Sequence, residues 1–81
     1  MTELYAMKEF DLYVGEDCHH CEVLLSNMNQ KDHDRCTIIN VDDPNNLDSA
    51  IRNNITMVPC LVADGVHISG ASAILNYLKT H

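Results

Sequence analysis

Two cysteines two residues apart, placed where a strand-like segment gives way to a helical one, restrict this chain more than any other feature. Cys18-His19-His20-Cys21 follows Phe10-Asp11-Leu12-Tyr13-Val14, whose alternation predicts a β-strand ended by Gly15. Beyond the pair, Cys21, Leu24, Leu25 and Met28 fall at i, i+3, i+4 and i+7, one face of a helix running from about Cys18 to Met28. Cysteines at this spacing either close a small disulfide ring or supply two metal ligands. A structural zinc site takes four ligands, usually from a second close pair. Cys36 and Cys60 instead stand singly in strand-like segments and read as core residues, so a redox pair is the preferred reading and a metal site the alternative.

The first turn of a helix presents unpaired backbone N–H groups and the positive end of the helix dipole, which favour a thiolate over a thiol. Cys18 at the helix start is accordingly the expected nucleophile. Cys21, one turn further in and on the apolar face, is the expected resolving thiol. His19 and His20 add donors beside the sulfurs and, when protonated, positive charge. Glu16, Asp17 and Glu22 act in the opposite direction. Asp17 either caps the helix or stays free to oppose ionisation of Cys18.

Eighty-one residues make a single domain, 1–81, with one core. An apolar fraction of 46% with 21% charged residues argues against disorder. The formal charge of −7, with five basic residues scattered singly, excludes the basic stripe of a nucleic-acid binder and disfavours anionic membranes. Met1-Thr2-Glu3-Leu4 lacks the basic and apolar regions of a signal peptide, and no apolar run reaches the roughly 20 residues that span a bilayer. The expectation is a soluble cytoplasmic protein.

Residues Met1 to Glu9 either extend the first strand or lead into it. Asn29 to Asp34 is polar and reads as a solvated connection, with His33 on the surface, and Cys36 to Val41 as a second strand. A strand-helix-strand order needs a crossover, so the two strands should be parallel neighbours. Asp43 and Pro44 read as the cap and first residue of a second helix, with Leu47, Ile51 and Ile55 as its apolar ridge. Val58 to Ala63 is a third strand, Asp64-Gly65 a hairpin turn, and Val66-His67-Ile68 a short fourth strand; His67 is assigned no role. Ala71, Ile74, Leu75 and Leu78 mark a last helix. The order is β-α-β-α-β-β-α, an α/β architecture with a mixed four-stranded sheet flanked by helices.

That order, with Cys18-His19-His20-Cys21 after the first strand, resembles the glutaredoxins and other small proteins of the thioredoxin-like fold. Met57-Val58-Pro59 matches the family's threonine-valine-proline, which implies that Pro59 is cis and faces the cysteines. It also implies that Val58 offers its backbone N–H and C=O to a thiol substrate. The stretch Ser69-Gly70-Ala71-Ser72-Ala73 is similar to the family's glycine-glycine-variable-serine-aspartate. Ser69 here replaces the first glycine and Ala73 the aspartate that helps hold the glutamyl end of glutathione. N–H groups near Gly70, Ala71 and Ser72 remain suited to a carboxylate, and Tyr13 is placed at the border of the substrate groove or as a buried ring.

The resemblance implies a disulfide oxidoreductase acting on a disulfide-containing or glutathionylated protein, ribonucleotide reductase being one such partner. Glutathione or a thioredoxin-reductase-type enzyme would donate electrons. Glutathione would serve as co-substrate, no cofactor would be tightly bound, and the protein would be a monomer. The alternative is a metal or iron–sulfur carrier using the same cysteines in a dimer.

Overall fold

The computed structural model describes residues 9–81; the extension of the first strand over Met1 to Lys8 lies outside them. Strand β1 (Phe10–Val14) leads through Gly15 to helix α1 (His19–Asn27). Helix α2 (Gln30–Arg35), strand β2 (Cys36–Asn40), a 3-10 turn (Pro44–Asn46) and helix α3 (Leu47–Arg52) follow. Strands β3 (Cys60–Ala63) and β4 (Val66–Ser69) form a hairpin, and helix α4 (Ala71–Thr80) closes the chain. The sheet order is β2-β1-β3-β4. β1 pairs with β2 in parallel, and β1–β3 and β3–β4 are antiparallel. This is the mixed four-stranded α/β sheet of the thioredoxin-like fold, and β1, which carries the cysteine pair at its end, lies inside it.

Strand alternation divides the core in two. Leu12 and Val14 of β1 and Leu61 and Ala63 of β3 pack with Leu24 and Met28 from the α1 segment and with Ile74 and Leu78 of α4. Tyr13, Cys60 and Ala50 form a smaller cluster on the opposite face, beneath α3. The Asp64-Gly65 turn has positive φ at both residues, 50° and 79°, as this tight hairpin requires. No helix among the described residues is long and apolar enough to cross a membrane.

Three local expectations are corrected. The polar stretch after α1 is not a plain connection: Asn29 accepts the Asp32 N–H at 2.8 Å, and the Asp32 carboxylate accepts the Asn29 N–H at 3.4 Å. This reciprocal capping box holds α2 at its N-terminus, although the segment has no apolar period. His33 is half-buried rather than on the surface, its Nε2 hydrogen-bonded to the Leu25 carbonyl at 3.2 Å. In α3 the buried residue is Ala50, whereas Leu47 and Ile51 are 54% and 63% exposed. Ile55 lies beyond the helix, half-buried. The reason is Tyr13: its ring fills the space under α3, and its hydroxyl bonds Ser49 Oγ at 2.7 Å and Asn53 Nδ2 at 2.8 Å. The Ser49–Ala50–Asn53 side of the helix is thereby drawn toward the sheet.

Candidate functional site

The site is assembled where β1 ends. The Glu16 N–H donates to Asp42 Oδ2 at 2.7 Å, which ties the loop after Gly15 to the segment following β2. Gly15 lies so close to Val58 that an added Cβ would stand 3.3 Å from Val58 Cγ2 and 3.4 Å from Asp42 Oδ2. The loop therefore lies against the Val58 segment, and the chain enters α1 at a fixed position.

Cys18 is the N-cap of α1, with extended backbone angles, and its sulfur accepts the Cys21 N–H at 3.1 Å. Of the two readings open for Asp17 the cap is excluded, since the cysteine itself fills that position. Cys18 and Cys21 are joined in a disulfide, with Cα atoms 5.1 Å apart. Their surroundings differ sharply: Cys18 is partly exposed, while Cys21 is 1% exposed and packed in the core. His19 and His20 are exposed, with ring centroids 6.1 Å apart. Together with Asp17, Cys18 and Val58 they line a depression of ≈ 330 Å³.

The Val58-Pro59 peptide bond is cis, and the Val58 carbonyl oxygen stands 3.9 Å from Cys18 Sγ. β3 begins only after this turn, at Cys60 rather than at Val58. Pro59 is buried, and its carbonyl accepts the Gly70 N–H at 3.3 Å, which fastens the start of α4 to the proline loop. Gly70 takes a φ of 93° at the N-cap, a position that favours glycine. No side chain among the described residues caps α4, so the N–H groups of its first turn, where Ala71 and exposed Ser72 stand, are open to solvent or to a bound group.

The structure thus gathers Cys18, His19, His20 and Val58 around one depression, with Cys21 bonded to Cys18 from the core side and Pro59, next to Val58, tied to Gly70. It does not bring Tyr13 there. That ring is fully buried on the α3 face, with its hydroxyl engaged by Ser49 and Asn53, and it has no surface for a substrate. Cys36 and Cys60 are both buried, as expected of core residues, Cys36 with the larger cluster and Cys60 beside Tyr13. His67 does have a partner: its Nε2 is 2.6 Å from the Asn53 carbonyl oxygen, which links β4 to the end of α3.

Sequence reasoning missed Asp42, the anchor of the loop, because its contact with Glu16 spans 26 residues and carries no local signature. Chemically, a disulfide at a helix N-terminus, with one accessible sulfur and one buried, is a thiol–disulfide redox site. No protein-family model matches the chain, and no curated protein matches it significantly.

Proposed function

We propose that the protein exchanges disulfides with thiol substrates in the manner of a glutaredoxin. Reduced Cys18 would attack as a thiolate and Cys21 would resolve. The observation that carries this reading is the cap: the sulfur of Cys18 occupies the acceptor position at the start of α1 and takes the Cys21 N–H at 3.1 Å. In the reduced protein the same donor and the helix dipole favour negative charge on that sulfur, and charge-assisted hydrogen bonds are the stronger kind.

The exchange balances as two displacements. The Cys18 thiolate attacks one sulfur of a substrate disulfide, forms a mixed disulfide and releases the other substrate sulfur as a thiolate. Cys21 then loses its proton to solvent and attacks Cys18 Sγ, which breaks the mixed disulfide and releases the second substrate thiolate. The substrate gains two electrons, and the pair ends as the Cys18–Cys21 disulfide. An external thiol, glutathione or the dithiol of a reductase, returns the pair to the reduced form.

In this reading the Val58 backbone aligns the incoming sulfur, Pro59 shapes the loop, and His19 and His20 border the entering group. The first turn of α4, at Ala71 and Ser72 just beyond Gly70, receives a carboxylate. Ala73 in place of aspartate removes one holder of glutathione and favours a protein disulfide.

Trapping tests this division of labour. A Cys21→Ser variant should accumulate a mixed disulfide on Cys18 when mixed with a glutathionylated peptide, and a Cys18→Ser variant should accumulate none. Equal labelling of the two variants would refute the assignment.

A further inference from the structure

Val58 lines two hollows: the depression over Cys18 and, on its other side, an apolar groove of ≈ 280 Å³. Leu47 and Ile51 of α3, with Ile55, Met57 and Val58, form most of the groove wall. Thr56 also lines it, and among the described residues no charged side chain does. Leu47, Ile51 and Met57 are 54%, 63% and 59% exposed, so three large exposed apolar side chains line one groove, which shares Val58 with the depression over Cys18.

Around both hollows the charge is one-sided. The segments 15–20 and 41–58 carry Glu16, Asp17, Asp42, Asp43 and Asp48 against one cation, Arg52. A small, highly charged thiol such as glutathione, with two carboxylates and an ammonium, finds no charged partner in the groove wall. An aliphatic side chain finds a matching surface.

We infer that this groove is a docking site for a polypeptide disulfide: it takes a bulky aliphatic side chain close in sequence to the substrate cysteine, in a segment whose flanks are basic. The inference rests on the exchange chemistry proposed above for Cys18. An extended chain advances ~3.3 Å per residue, so a side chain two residues from the cysteine lies roughly 7 Å along the segment. Met57 and Val58 are adjacent in sequence, and Val58 borders both hollows. In this inference a segment whose cysteine meets Cys18 crosses Val58 to reach the groove. The acidic surroundings would speed the approach of a basic segment and make that approach sensitive to salt.

The test compares two lysine-flanked peptide disulfides, one with leucine and one with serine two residues from the cysteine on each side, and 2-hydroxyethyl disulfide as a small neutral probe. The wild-type protein should exchange with the leucine peptide at a kcat/KM about tenfold or more above the serine peptide, the usual scale for filling an apolar pocket. Added salt should lower both peptide rates and leave the neutral probe unchanged. Ile51→Ser and Leu47→Ser, both at exposed positions, should erase the leucine preference while the neutral probe reacts as before.

Equal rates for the two peptides, or a preference that survives both substitutions, would overturn the groove assignment and leave the cysteine chemistry standing. The groove assignment falls in the same way if sedimentation shows a dimer that Ile51→Ser dissolves and the peptides show no preference. A non-reacting leucine peptide, with serine in place of its cysteine, separates the two claims. If all three disulfides fail to react yet this peptide shifts the NMR signals of Ile51 and Met57 more than its serine counterpart does, the groove stands and the Cys18 chemistry fails. If it shifts neither, the groove is refuted as well.

Discussion

On one face of the sheet Leu12, Leu24, Leu61 and Ile74 have no solvent exposure at all, whereas on the other Leu47 and Ile51 keep more than half of their surface in water. The first face is covered by α1 and α4, which also pack against each other. The second is covered by α3, a helix of six residues held by the packing of Ala50 against Tyr13 and by polar contacts from Tyr13 to Ser49 and Asn53. Both faces meet at the cysteine pair, because Cys21 is rooted in the first core while Val58 packs against both. One side thus supplies the rigidity that fixes a sulfur at a helix end, and the other leaves apolar surface unfilled beside it.

If the densely packed face carries most of the stability, Leu24→Ala should cost the most, about 2–5 kcal/mol in denaturant unfolding. A loss under ~1 kcal/mol would mean that this face is no better packed than the other. On the second face Tyr13→Phe keeps the ring and removes the hydroxyl shared by Ser49 and Asn53. The expected cost is about 1–3 kcal/mol, with α3 showing faster amide exchange than α1. Asn29→Ala removes one half of the α2 capping box and should cost about 1 kcal/mol. Smallest of all, Ile51→Ser should leave stability within roughly 0.5 kcal/mol of wild type, since the side chain already faces water. A larger loss would show that the groove is part of the core.

The same contrast explains what can be read from the chain. The first face is legible because its elements announce themselves: Cys21, Leu24 and Met28 repeat on a helical period, and Ile74 and Leu78 do the same. The cis Val58-Pro59 bond agrees with what resemblance to the glutaredoxins implies. Helix α2 escapes such a reading because six polar residues have no apolar period. Its signal is the Asn29-x-x-Asp32 pattern, which puts a side-chain acceptor at each end of the first turn.

The second face misleads for a different reason. Leu47, Ile51 and Ile55 do stand at i, i+4 and i+8, yet Tyr13 on β1 directs the opposite, smaller side of α3 inward. A periodic ridge marks a surface that avoids water, and it does not say whether the partner is the protein's own sheet or another chain. Cys18 as its own helix cap is likewise hidden by Asp17, a stronger capping residue one position earlier.

The ionisation of Cys18 in the reduced protein underlies the proposed chemistry, and alkylation with iodoacetamide across pH, followed by mass spectrometry of each cysteine, measures it directly. Cys18 should react with a midpoint well below the ~8.5 of an ordinary thiol, and far faster at neutral pH than Cys21. A midpoint at or above that value, or equal rates for the two sulfurs, would contradict the proposed chemistry.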